Sequence, residues 1–197
     1  MNFKSDGYAV VKNAISKEVA EYIKINFDVY ENSMLAITPI TETNPYPFGD
    51  LQSPISFAAY SPLYGESLLI YLKPMIESVA GIGLTETYSY MRIYYKGASL
   101  DKHIDRESCE VSATLCIKKD SDWPIYFQKK TGEQVGIELE EGDLVVYRGN
   151  DLLHWRNVYT GNKHYQMFLH FVETDGKFGK EFKWDRRPAL WTFRKQG

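Results

Sequence analysis

From Thr85 to Val172 the chain alternates apolar and polar residues with period two, in short runs separated by glycine and aspartate turns. No other feature constrains the fold as tightly, because successive side chains of an extended strand point to opposite faces and a half-buried sheet needs that alternation. Tyr88 to Tyr95, Glu110 to Ile117, Pro124 to Gln128, Val135 to Leu139, Leu144 to Arg148 and Tyr165 to Val172 read as strands. Lys96-Gly97, Thr131-Gly132 and Glu141-Gly142-Asp143 supply turns between them. Many short strands at this spacing predict a sandwich or jelly roll.

Two helices are expected ahead of that sheet. Tyr8 to Val11 is a short strand after Asp6-Gly7, and Ser16 is placed to cap a helix from Lys17 to about Tyr30. A second helix covers Glu66 to Val79, weakened by Pro74 and closed by Gly81 and Gly83. Between them, Thr38 to Pro62 carries Pro39, Pro45, Pro47, Gly49 and Pro54, so an irregular loop is expected there, with Tyr46, Phe48 and Phe57 as a substrate cover. The 197 residues suit one domain, with 1–84 as helical support and loop, 85–172 as core and 173–197 as a packing tail.

Charge narrows the partners. A net charge of −3 gives no overall attraction to nucleic acid or anionic lipid. No apolar run approaches the roughly 20 residues that span a bilayer, and the start lacks a secretory apolar region, so a cytoplasmic protein is expected. Both cysteines, Cys109 and Cys116, are expected to be reduced. Nothing in the sequence fixes an oligomeric state.

Of the four histidines, two stand in a metal-binding relation to one acid. In His103-Ile104-Asp105 the imidazole and carboxylate lie two apart in an extended segment and face the same side. His154 follows Gly142-Asp143 and a buried strand, late enough for the chain to return through two hairpins to the opposite sheet. Two histidines and one carboxylate leave three positions open on a metal, the arrangement suited to Fe(II) and O₂. His103, Asp105 and His154 are therefore the candidate metal ligands and catalytic residues.

At this point the sequence resembles the Fe(II)/2-oxoglutarate-dependent oxygenases, especially small prolyl-hydroxylase-like members from phage and bacteria. The matching pieces are Asp6-Gly7-Tyr8-Ala9-Val10-Val11, Leu72-Lys73-Pro74, Tyr94 with Gly97 ahead of His103-Ile104-Asp105, and Gly142-Asp143 ahead of His154, across about residues 6 to 172. The resemblance implies an α+β, mainly β fold: a double-stranded β-helix (jelly roll, cupin-like) with two N-terminal supporting helices. It also implies Fe(II), 2-oxoglutarate and O₂ as reactants, and hydroxylation of a peptidyl residue or small amino-acid-like molecule with release of succinate and CO₂.

The distal carboxylate of 2-oxoglutarate needs a cation in the barrel. Prolyl-hydroxylase-like members are expected to place it nine or ten positions after the distal histidine, where this chain has Lys163 and His164 in place of arginine. Arg156 is the alternative, since it lies two residues past His154 and faces the same cavity by alternation. Tyr94 is similar to the family tyrosine that meets this carboxylate; Arg92 and Gln166 complete the expected cosubstrate set, with Arg106, Ser112, Thr114 and His170 as further lining. Two other readings accompany this one. One is a non-catalytic cupin-like metal- or ligand-binding protein, and the other a nucleic-acid-modifying oxygenase, prompted only by the basic tail Lys180 to Lys195.

Overall fold

The computed structural model describes residues 2–192. Its strands are β1 (Tyr8–Val11), β2 (Ser56–Tyr60), β3 (Leu84–Tyr95), β4 (Leu100–His103), β5 (Val111–Lys119), β6 (Ile125–Gln128), β7 (Gln134–Ile137), β8 (Leu144–Tyr147), β9 (Leu153–Arg156) and β10 (Lys163–Glu173). The helices are α1 (Phe3–Asp6), α2 (Lys17–Ile37) and α3 (Leu63–Ala80). A six-stranded sheet runs β1-β8-β5-β10-β3-β2 and a four-stranded sheet β4-β9-β6-β7, with all pairings antiparallel. This is the predicted jelly roll.

The alternation sorts side chains into two cores. Odd-numbered residues of β10 and β5, including Tyr165, Met167, Leu169, Ala113 and Leu115, pack with Ile23 and Phe27 of α2 and Leu69, Leu72 and Ile76 of α3. Even-numbered residues turn inward, where Cys116 joins Tyr8, Phe127, Val145 and Tyr147 between the sheets. The Tyr8 and Phe127 rings stack there at 5.0 Å. At about 25 cal/mol per Å² of apolar surface removed from water, these two faces supply the main drive for folding.

Ser16 caps α2 as expected, accepting from the Val19 N–H at 3.4 Å. The helix continues past Tyr30 to Ile37, because no glycine or proline intervenes before Pro39. Gly81 ends α3 with φ +69°, a left-handed conformation that glycine adopts without steric cost. Pro74 lies within α3 and does not end it. The expected irregular segment contains β2, which pairs with β3 along Ser56–Tyr60. No helix among the described residues is long and apolar enough to cross a membrane.

The turn ahead of β8 depends on Asp143. Its carboxylate accepts from the backbone N–H groups of Asn13 (3.0 Å) and Glu140 (2.9 Å) and from Lys12 Nζ (2.7 Å). Burial alone would raise its pKa, but Lys12 and the two amides hold it below the ordinary 3.8. A carboxylate with a lowered folded-state pKa stabilises fully above its unfolded pKa, and that contribution is lost as pH falls through the lowered value. Asp143→Ala is therefore expected to cost about 2 kcal/mol in urea unfolding at neutral pH, with the gap to wild type narrowing in acid. A gap that is constant with pH would refute the charge-based account.

Candidate metal centre and active-site cavity

The two strands carrying the candidate ligands are neighbours in the four-stranded sheet, and His103 of β4 is the register partner of His154 of β9. Asp105 lies just beyond β4, where its N–H donates to the Gly149 carbonyl at 2.8 Å. Asp105 Oδ1 stands 3.5 Å from His103 Nε2 and 3.5 Å from His154 Nε2. Two ligands held at ~2.1 Å from one ion stand ~3 to 3.5 Å apart, so these three atoms are spaced to share a cation.

Ring orientation supports the same reading. His103 Nδ1 lies 2.7 Å from the Asp101 carbonyl and His154 Nδ1 lies 2.9 Å from the Leu152 carbonyl. A carbonyl only accepts, so each Nδ1 carries a proton, which leaves each Nε2 facing Asp105 as the nitrogen that can bind a metal. Burial works against charge on His103, yet Asp105 and the Asp101 carbonyl raise its pKa above 6.5. Burial likewise opposes charge on Asp105, but the two imidazoles hold its carboxyl far below the usual range. The donor set of two imidazoles and one carboxylate fits Fe(II) with open positions.

A cavity of about 300 Å³ opens beside the trio, with Tyr88, Tyr90, Arg92, Tyr147, Phe168 and His170 in its wall. Arg106 also lines it, lying 4.6 Å over the Tyr88 ring while donating to both oxygens of Asp185 at 2.9 Å.

Arg156 is buried on the inward face with His154, but it, Tyr94 and Gln166 lie behind the residues that line the cavity rather than in its wall. Arg156 donates to the Trp123 carbonyl and, at 3.5 Å, to Gln166 Oε1, and its guanidinium lies 4.7 Å over the Trp123 ring. His164 beside it is pushed down to about 3 by burial and by Arg156, so it is neutral near pH 7. Among the described residues no carboxylate forms an ion pair with Arg156, whereas Arg92, Arg106 and Arg187 each have one. Gln166 donates to Thr114 Oγ at 2.5 Å, which fixes its amide.

Lys163 is not part of this environment, which corrects one expectation. It lies on the helix side of β10, where Nζ meets Glu31 of α2 at 2.8 Å and sits 5.6 Å over the Tyr95 ring. The physical reason is strand parity: His164, Gln166 and His170 share the inward face, and an odd-numbered neighbour faces out. Arg92 does line the cavity and donates to the Tyr94 hydroxyl at 2.9 Å, so Arg92 and Tyr94 come together with the inward set.

The aromatic cover expected from the loop is corrected as well. Phe57 is buried in the helix-side core with Phe48 at 5.2 Å, and Tyr46 stacks on Tyr95 at 5.5 Å. The loop sends Asp50 and Gln52 to the cavity instead. Asp50 Oδ2 accepts from the Tyr90 hydroxyl (2.6 Å) and from Arg92, while Oδ1 accepts from the Ser53 N–H (2.8 Å). Asp50 was not foreseen; its only trace in the sequence is the Asp50-to-Ser53 turn spacing.

No family model matches this sequence, and no curated protein matches it. Solved structures do. A prolyl-4-hydroxylase from Pseudomonas putida superposes with TM-score 0.67 at 13% identity, over 87% of this chain and 95% of that one. HygX from Streptomyces hygroscopicus, with nickel and 2-oxoglutarate bound, gives 0.64 at 12% identity over 88% and 85%. EctD from S. alaskensis, in its apo form, gives 0.62 at 15% identity over 99% and 82%. Two opposed antiparallel sheets, a His103–Asp105–His154 convergence at one end of them, and these superpositions together give the chain the double-stranded β-helix fold of 2-oxoglutarate-dependent oxygenases.

Proposed function

We propose that this protein is an Fe(II)- and 2-oxoglutarate-dependent dioxygenase acting on a small amino-acid-like molecule or a peptidyl residue. The observation that carries the reading is the gathering of two Nε2 atoms around one carboxylate oxygen at 3.5 Å beside a cavity of about 300 Å³. The bound 2-oxoglutarate of the HygX structure supports the choice of cosubstrate.

His103, Asp105 and His154 would hold the iron. Arg156, a buried guanidinium with no carboxylate partner among the described residues, would take the distal carboxylate of 2-oxoglutarate, with Gln166 holding its other side. The Tyr94 hydroxyl accepts from Arg92, so its own proton is free to donate to the same carboxylate. When bound, iron and 2-oxoglutarate supply the oxidation of a C–H bond by O₂, with succinate and CO₂ released. The chain's part is to position the reactants and exclude water: Tyr88, Tyr90 and Phe168 wall the substrate side, and the Asp50–Arg92 and Arg106–Asp185 pairs give that wall fixed hydrogen-bonding edges. A cavity of about 300 Å³ suits a small substrate or one side chain.

The test is an anaerobic titration of 2-oxoglutarate into the Fe(II)-loaded protein. A weak visible charge-transfer band is expected on chelation, followed by O₂-dependent succinate formation. Iron binding without a band would favour the non-catalytic binding module. The nucleic-acid reading finds no support in the described tail, where Arg187 is buried against Glu66 at 3.0 Å and Asp185 against Arg106.

A further inference from the structure

The Asp105 carboxylate is held by a hydroxyl outside the ligand trio, which is itself backed by a buried imidazole. Ser112 Oγ of β5 lies 2.8 Å from Asp105 Oδ2 and 2.9 Å from His170 Nδ1 of β10. The same hydroxyl is 3.3 Å from the Cys109 carbonyl, a longer contact to a weaker acceptor than the carboxylate. With its single proton on Asp105, Ser112 accepts from His170 Nδ1–H, so order runs from the buried imidazole through the hydroxyl to the carboxylate.

Gly149 lies against the same carboxylate and hydroxyl. A Cβ built there would lie 2.4 Å from Asp105 Oδ2, 2.6 Å from Ser112 Oγ and 2.3 Å from the Cys109 carbonyl. Its φ is not in the left-handed region, so the backbone itself would accept alanine. What the position requires is the space, and that space is filled by the Cys109 carbonyl, the Asp105 carboxylate and the hydroxyl that holds it.

We infer that Ser112, His170 and Gly149 form a lock that restricts Asp105 to one-oxygen ligation, and that Ser112 and His170 are positioning residues for the metal centre. The inference rests on the metal-centre reading of His103, Asp105 and His154. A free carboxylate can swing to bind through both oxygens and occupy an additional position on the ion. Here Oδ2 is tied back while Oδ1 faces the two imidazoles. The lock thereby keeps positions open for cosubstrate and O₂, which an enzyme of this type requires. Of the nearby group Asp105, Cys109 and His170, His170 supports Asp105 through Ser112, while the Cys109 thiol lies 3.0 Å from the Tyr88 hydroxyl.

Co(II), whose visible absorption reports coordination number, is the probe. Ser112→Ala and His170→Phe are expected to bind Co(II) 10–100-fold more weakly than wild type, the usual range for partners that orient ligands, and to show weaker absorption as the freed carboxylate chelates. His170→Asn, whose side-chain amide donates from nearly the place of Nδ1, is expected to restore affinity and spectrum. Gly149→Ala is expected to shift the spectrum most, with thermal unfolding to confirm that it folds. Wild-type affinity and spectrum in both Ser112→Ala and His170→Phe would overturn the lock. Failure of wild type to bind Co(II) would instead overturn the metal-centre reading itself.

Discussion

Asp105→Asn is expected to yield a folded protein that binds Fe(II) more than about 100-fold more weakly than wild type, because losses of 10–100-fold already follow from removing partners of a ligand and here the anionic ligand itself is lost. The exchange keeps the shape of the side chain, and the amide oxygen can still accept from Ser112 at the place where Oδ2 now does so at 2.8 Å. What disappears is the negative charge facing both imidazoles at 3.5 Å. In the metal-free fold that charge is stabilised strongly enough by His103 and His154 to hold the carboxyl far below its usual range despite burial. Iron content after anaerobic desalting measures the effect. Asp101→Asn is the control, since Asp101 is exposed and serves His103 through its backbone carbonyl. Stoichiometric iron in the Asp105 variant at wild-type affinity would remove the basis for the proposed function.

The pairing of His103 with Asp105 was legible because i and i+2 share one face; His154 was expected on the opposite sheet, whereas its strand β9 lies beside β4 in the same four-stranded sheet and meets His103 by direct pairing. The strands that carry the trio were not legible. β4 and β9 are four residues each, β4 holds the polar pair Asp101-Lys102, and their register shifts between Leu100 and His103, so neither shows an alternation long enough to recognise. The same limit hid β2, whose five residues sit among prolines and gain their order from pairing with β3. Tertiary pairing overrode local propensity in each case.

The cosubstrate wall shows where parity helps and where it is missed. His164, Gln166, Phe168 and His170 share a face by simple alternation, and counting from Gln166 already sends Lys163 to the other side. Position relative to the distal histidine kept Lys163 as a candidate beside the preferred Arg156, and its Glu31 partner on α2 lies 132 residues away, out of reach of any local pattern. Asp50 is a harder case. It enters the cavity from an irregular loop, 42 residues before its Arg92 partner, and irregular segments carry no period from which a direction can be read.

Arg156→Leu separates the two cations that the sequence left open. Its expected result is a rise in the dissociation constant for 2-oxoglutarate of 30-fold or more, since truncating one side of a buried charged pair costs about 2–5 kcal/mol. Lys163→Leu is expected to change that constant less than about twofold while lowering stability by about 1–3 kcal/mol, because Lys163 is partly exposed but its partner Glu31 is buried and loses its cation. Thermal unfolding with and without 2-oxoglutarate reads both effects without a known substrate, using Fe(II)-loaded protein under nitrogen. Cosubstrate at 100 times its wild-type dissociation constant stabilises by about 2.7 kcal/mol, and that increment should fall to about 0.9 kcal/mol or less in the Arg156 variant while persisting in the Lys163 variant. The difference between loaded and unloaded protein also cancels any cost of leaving the Trp123 carbonyl and Gln166 without their guanidinium partner. An undiminished increment in Arg156→Leu would shift the anchor to Arg92, the other buried guanidinium of the inward face, and would require Asp50 to leave it when cosubstrate binds.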